Sequence, residues 1–282
     1  LMVTTVAAGD VGPYVGTSDI MMLYPVVDVA GVNAISERII TNAAAAIAAM
    51  AMTSALAGPI VANRPVVAIT MFGVTTPAAM VAKDALEAAG FDVLIFHANG
   101  AGGRTMEALI GDGVIAGVLD LTTTELADEL VGGTLSAGPE RLEIAGRRGL
   151  PQVVSLGALD MVNFGPVATV PERFKGRNLY AHNPTVTLMR TTPEECAALG
   201  TLIARKLNSA NGPVAVFAPT RGVSAIAKQG GPFADAAADA ALIDALRRDL
   251  DPSIPLRLRD TDINDPAFAR EMAAALVGMM ST

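Results

Sequence analysis

The 282-residue chain contains no tryptophan, and aromatic residues make up only 4% of it. A core without large rings must be assembled from Ala, Val, Leu, Ile and Met. The chain has one cysteine, Cys196, inside the helical pattern PEECAALGTLIARKL, which excludes an intrachain disulfide and a zinc site built on cysteines. A buried, inert thiol is expected there, and the composition fits a reducing cytoplasm, the expected location. Basic residues are outnumbered, 20 Lys and Arg against 28 Asp and Glu, for a net charge of −8. Nucleic acid is therefore not expected as a partner, since neutralising phosphates requires a basic face. The two histidines, His97 and His182, show no metal-ligand spacing with Asp120 or Asp160, so no dedicated metal site is expected. Ser155 in VVSLG and Ser224 in GVSAI lack the GxSxG context of a hydrolase nucleophile. The opening LMVTTVAAGD lacks the basic and long apolar regions of a signal peptide.

Hydrophobic residues reach 51% and charged residues only 17%, which predicts an extensive core. The longest uncharged run, TNAAAAIAAMAMTSALAGPIV at 41–61, has about the length a bilayer requires. Alanine contributes little transfer energy, however, and Thr, Ser and Gly-Pro interrupt the run. A buried helix is expected instead, capped by Ser36 and stopped at Gly58-Pro59, with no membrane partner.

From Pro65 the pattern is regular. The runs PVVAITMF, DVLIFHA, IAGVLDL, PQVVSLG, PVAVFAP and LRLRDTD read as strands. Between them lie helical patterns such as TTPAAMVAKDALEAAG, RTMEALIGDG, TELADELVGG, GPERLEIAGRRG and DAALIDALRRDL, and DPAFAREMAAALVGMM closes the chain. Continuously apolar strands alternating with helices predict an α/β fold with a doubly wound parallel sheet, three layers in all. Residues 160–190 lack this rhythm and are expected to form an excursion over the sheet edge. LMVTTVA reads as a buried strand with nothing before it, so the chain is expected to start within a truncated first lobe.

In an open parallel sheet, ligands bind beyond the carboxyl ends of the strands. Those ends are polar here: Thr75 and Thr76 after MFG, His97 and Asn99 after DVLIF, Asp120, Thr122, Thr123, Thr124 and Glu125 at VLDL, and Asp160 and Asn163 after QVVSLG. Arg221 follows PVAVFAP. The opposite loops (EAAGFD, RRGLPQ, NSANGP) are ordinary connectors. Each group also has a plainer use. Thr76 and Thr124 read as N-caps, and His97 as a hydrogen-bonded structural residue. The stretch FHANGAGGRTMEAL joins a strand to a helix through Gly100, Gly102 and Gly103. Its free amides at the positive helix end suit an anion, with Arg104 as a second ligand, or else form only a connector.

The words AAGDVGPYVGTSDI, MFGVTTP, FHANGAGGRTMEALI, GVLDLTTTELADELVGG, SAGPERLEIAGRRGLPQVVSLGALDMVNFGP and HNPTVTLMRTTPEE together resemble the Tm-1-like ATP-binding family, also called UPF0261. The resemblance implies two α/β lobes with a cleft between them and ATP as ligand. It places residues 1–35 at the end of the first lobe, 36–64 in a connecting alanine-rich helix, and 65–282 in the second lobe. Gly9, Asp10, Thr17 and Ser18 would then face Thr75, Gly102, Gly103, Arg104 and Thr122–Thr124, with Asp10 or Asp120 positioning Mg²⁺.

Three functions follow as expectations. One is a nucleotide- or phosphate-binding protein acting as a homodimer or larger homo-oligomer. The second is an enzyme on a small organic acid or sugar-acid phosphate, with His97 or Glu125 as acid/base. The third is a structural module, expected if the strand-end groups are buried and satisfy one another.

Overall fold

The computed structural model describes residues 1–57 and 63–281, in two compact units, Leu1–Asn63 and Arg64–Thr282. In the first unit, β1 (Met2–Val3) pairs in parallel with β2 (Met22–Leu23), and α1 (Gly12–Val15) lies between them in sequence. The expected strand LMVTTVA is cut short because the Thr4 hydroxyl accepts the Val6 N–H and starts a 3₁₀ turn at Thr5–Ala8.

A 24-residue helix, α2 (Ala34–Ala57), follows. Its cap is Asn33, whose Oδ1 accepts the N–H groups of Ile35 and Ser36, while Ser36 Oγ accepts the Asn33 N–H. Ser36 is thus the reciprocal partner rather than the cap itself. The stop expected at Gly58-Pro59 lies outside the described residues. The helix is also not the buried one expected: only Ser36 and Ala43 are buried, and Ile40, Ile47, Met52 and Leu56 are exposed. Beside it the described part of its unit has only a 3₁₀ turn, the four-residue α1 and two strands of two residues, too little to cover six turns. By length and composition alone, α2 is long and apolar enough to cross a membrane.

The second unit is a three-layer α/β/α fold. Six parallel strands, β3 (Val66–Met71), β4 (Asp92–His97), β5 (Gly117–Thr122), β6 (Gln152–Gly157), β10 (Val214–Pro219) and β11 (Leu256–Arg259), stand in the order β11-β10-β6-β5-β3-β4. Between β6 and β10, the excursion at 160–190 forms a separate antiparallel sheet. It comprises β7 (Met161–Phe164), β8 (Leu179–Asn183) and β9 (Val186–Arg190), with β9 in the middle.

Alternation along the strands divides the core. Ile69, Leu119, Val153 and Phe217 pack against α3 (Thr76–Ala88) and α9 (Pro266–Met280) on one face. On the other face Ala68 and Val118 meet α4 (Ala101–Gly111) and α6 (Ile144–Arg147). There too, Val154 and Val216 meet α5 (Glu125–Val131), α7 (Pro193–Asn208) and α8 (Ala236–Asp249). The loop after β3 therefore leaves for one face and the loop after β5 for the other, which makes their junction a topological switch point. The pattern GPERLEIAGRRG yields only the four-residue α6, because Leu142 adopts φ 71° and breaks the helix upstream.

Candidate functional site

The glycine loop does hold an anion, and the anion is the protein's own. Gly100 sits at φ 86° and opens α4. Glu125, from the first turn of α5, receives the Gly100 N–H at 2.6 Å and the Gly103 N–H at 3.0 Å on Oε1. Its Oε2 accepts Nε of Arg141 at 2.7 Å. The same guanidinium donates to both oxygens of Asp120, at 2.5 and 2.7 Å, and lies 3.5 Å from Glu107. Burial alone would depress the Arg141 guanidinium, but Asp120, Glu125 and Glu107 hold it well above its ordinary value. Burial likewise raises Glu107, against the attraction of Arg141.

The threonines close the switch point. Thr75 Oγ1 lies 2.7 Å from Thr122 Oγ1 and accepts the Phe72 N–H at 3.0 Å. The Thr122 N–H donates to Thr70 Oγ1, whose hydroxyl donates to Asp120. Thr123 Oγ1 donates to the Ser155 carbonyl at 3.0 Å. Thr75, Thr122, Thr123, Thr124, Asp120 and Glu125 are all buried. The side-chain caps expected of Thr76 and Thr124 are not formed. Thr76 is already in α3 and donates to the Phe72 carbonyl, and Thr124, at the cap position of α5, makes no cap bond.

Two further carboxylates lie inside. Asp128 Oδ1 accepts the N–H groups of Leu135 and Asn163, and Oδ2 accepts Asn163 Nδ2 at 2.7 Å. Burial pushes Asp128 up to about 7. Asp160 follows Ala158, which is held at φ 57°, and its Oδ2 accepts the Ser224 hydroxyl at 2.8 Å. Burial raises Asp160 to about 6 against Arg190 and Ser224. Asp160 Oδ1 and Asn163 Oδ1 are buried without a hydrogen-bond partner.

The accessible groups are fewer. His97, Asn99 and Arg104 are exposed, and Gly102 is half-buried. The His97 ring packs edge-on to Phe72 at 5.3 Å, Asn99 Oδ1 accepts the Gly102 N–H, and Arg104 Nη1 donates to the Ser136 carbonyl. Gly9, Asp10, Thr17 and Ser18 are exposed in the first unit, where Asp10 Oδ1 accepts the Gly12 N–H. His182 lies on exposed β8. Among the described residues, no three His, Cys, Asp or Glu side chains converge as a metal ion requires. An open cavity of about 660 Å³ is bounded by Arg221, after β10, and by α8.

Sequence reasoning did not single out Arg141, Asp128 or Glu107. Arg141 falls in GPERLEIAGRRG, where its neighbours suggest an ordinary surface helix, and only the tertiary fold turns it inward. Asp128 and Glu107 sit in amphipathic helices, where an acid normally faces water.

Residues 64–280 match the model of the C-terminal domain of "Uncharacterised protein family (UPF0261)", and residues 1–55 match that of its N-terminal domain. The chain belongs to the UPF0261 family. It is 51% identical over 281 residues to a UPF0261 protein of Clostridium tetani, covering 99% of this chain and 69% of that protein. A UPF0261 protein of Rhizobium meliloti is 52% identical over 277 residues, covering 98% and 69%. The ToMV resistance protein Tm-1(GCR237) of Solanum lycopersicum is 41% identical over 277 residues, covering 96% of this chain and 37% of the tomato protein. The polar strand ends of this UPF0261 chain thus separate into a buried network around Arg141, buried pairs at Asn163–Asp128 and Asp160–Ser224, the exposed Arg221 after β10, and an exposed rim at the β4–α4 junction.

Proposed function

We propose that this UPF0261 protein binds a phosphate-bearing small molecule, ATP being the ligand implied by the family resemblance, at the carboxyl edge of its six-stranded sheet. The observation that carries the reading is the exposed trio His97, Asn99 and Arg104 around the first turn of α4, beside a network otherwise sealed from solvent. Arg104 offers a guanidinium fork to a phosphate, and His97 and Asn99 offer further donors. The inner amides of Gly100 and Gly103 are committed to Glu125, so the phosphate meets the rim rather than the inside of the loop. Asp120 does not fit Mg²⁺, because Arg141 occupies both of its oxygens. Asp10, exposed in the first unit, is the remaining carboxylate of the expected pair.

Homo-oligomeric assembly and a cytoplasmic location belong to the same reading. The exposed apolar residues of α2 support the first, and the free, buried Cys196 the second. The enzymatic alternative loses Glu125, both of whose oxygens are hydrogen-bonded and buried, and rests on the exposed His97 alone. For Thr75, Asp120, Thr122, Thr123, Thr124 and Asn163 a structural role is the better reading, because they are buried and bonded to neighbouring groups.

Calorimetry with ATP, ADP and inorganic phosphate, with and without Mg²⁺, tests the proposal on the full chain and on Arg104→Ala. Saturable binding weakened about tenfold by the substitution is expected, the effect of one charge-assisted contact. No binding at millimolar ligand, or equal affinity in Arg104→Ala, would overturn it.

A further inference from the structure

The groove between α8 and the edge strand β11 is separate from the rim at β4. Its volume of about 660 Å³ lies in the range of small-ligand sites. Its apolar lining comes from Ala240 and Ile243 of α8 and Leu258 of β11; Arg221, Gln229 and Asp235 also line it, as does Asp244, which is paired with Arg247.

Asp239 makes the wall. Its Oδ1 accepts Nη2 of Arg190 at 2.6 Å, and Arg190 is only 5% exposed. That guanidinium is locked by the Phe233 carbonyl at 2.9 Å, Thr191 Oγ1 at 2.9 Å and the Asp235 carbonyl at 3.3 Å. A buried guanidinium is costly to desolvate and is tolerated only when fully bonded. Here it fixes Asp239 in place and offsets part of its charge, the guanidinium being shared with Asp160, so that the carboxylate serves as a rigid acceptor. Such a group suits a hydroxyl better than an ammonium.

Arg221 supplies the opposite preference. Its only salt-bridge partner among the described residues is Asp260, with Nε and Nη2 each 2.5 Å from a carboxylate oxygen, and both side chains are largely exposed. An exposed pair of this kind contributes little to stability, so an incoming anion exchanges with Asp260 at small cost. No aromatic side chain lines the groove, which leaves nothing to stack a purine. We propose that this groove is a second binding site, for a small polyhydroxylated anion whose acidic group meets Arg221 and whose hydroxyls meet Asp239 and Gln229. The inference does not rest on the nucleotide reading.

Titration of the full chain with ribose 5-phosphate and with gluconate distinguishes a phosphate from a carboxylate as the acidic group; inorganic phosphate and ribose are the controls. At least one of the two hydroxylated anions should bind more tightly than either control. Measured in the Arg104→Ala background, where the rim no longer contributes, its affinity should fall about tenfold on adding Arg221→Ala. Because Asp239→Asn also disturbs Arg190 and threatens folding, Ala240→Phe is the second probe. It fills the groove from an exposed helical position, and should abolish binding while the thermal midpoint is retained. Absence of binding by both anions at millimolar concentration, affinity no better than that of the controls, or indifference to Arg221→Ala and Ala240→Phe would each overturn the proposal.

Discussion

Glu125 Oε1 stands 3.0 Å from the backbone nitrogen of Gly103, in the position an external anion takes at a helix N-terminus. The positive end of α4 is thus neutralised from within, and Arg141 on the far side of the carboxylate links it to Asp120. The arrangement makes the glycine loop a structural joint between β4, α5 and the segment that carries Arg141.

Gly103→Ala should be strongly destabilising, because an added Cβ would collide with the Glu125 carboxylate. Displacing a buried, three-times-bonded carboxylate costs about 2–4 kcal/mol. Urea unfolding measures it, and an unchanged midpoint would show that the contact is absent in solution.

Arg141→Met leaves Asp120 and Glu125 buried without a counter-charge. A loss of about 3–5 kcal/mol is expected from removing one partner of a buried pair. Adding Glu125→Gln to Arg141→Met should recover part of that loss, since one uncompensated charge disappears. Simple additivity of the two substitutions in denaturation would argue against their coupling.

The contribution of Asp128 to stability should fall as pH rises from about 4 to about 7. The folded Asp128 carboxyl titrates at about 7 against an ordinary 3.8, so below 3.8 both states are protonated and burial carries no ionic cost. Between those values the unfolded chain ionises and the folded one does not, and above 7 the loss is complete. Asp160, raised to about 6, adds in the same direction. Asp128→Asn should flatten the decline between about pH 4 and about pH 7. The substitution is tolerable because the unpartnered Asn163 Oδ1 can turn to accept the new amide. A wild-type curve parallel to that of Asp128→Asn would contradict this.

Thr75→Val should cost about 1–2 kcal/mol by stranding the Phe72 N–H and leaving the Thr122 hydroxyl only its bond to the Thr70 carbonyl. Nucleotide affinity should be unaffected, since Thr75 is sealed from solvent. A selective loss of binding without loss of stability would return Thr75 to the ligand surface.

The parallel sheet was readable in the residues because the central strands PVVAITMF, IAGVLDL, PQVVSLG and PVAVFAP are almost wholly apolar, as strands covered on both faces must be, while the edge strands in DVLIFHA and LRLRDTD carry charged residues. All six of the strands read this way from Pro65 onward stand in that sheet. Family membership was equally legible, since long specific words carry it. The polarity of the strand ends was visible too, but its purpose was not: a threonine beyond a strand looks alike whether it faces solvent or a second threonine. Only the close approach of β3 and β5 sets Thr75 against Thr122.

Local pattern therefore decided which segments are strands and helices, because burial on one face or two leaves a periodic mark on neighbouring residues. Three-dimensional packing decided where the charges go. Nothing near Arg141 in sequence announces that it will be sealed among Asp120, Glu125 and Glu107, which lie 21, 16 and 34 residues away. Nothing in TVTLMRTT or DAALIDAL indicates that Arg190 will lock Asp239, 49 residues on, against an open groove. Electrostatic pairing acts through space with no periodicity along the chain, so it appears only once the chain has folded.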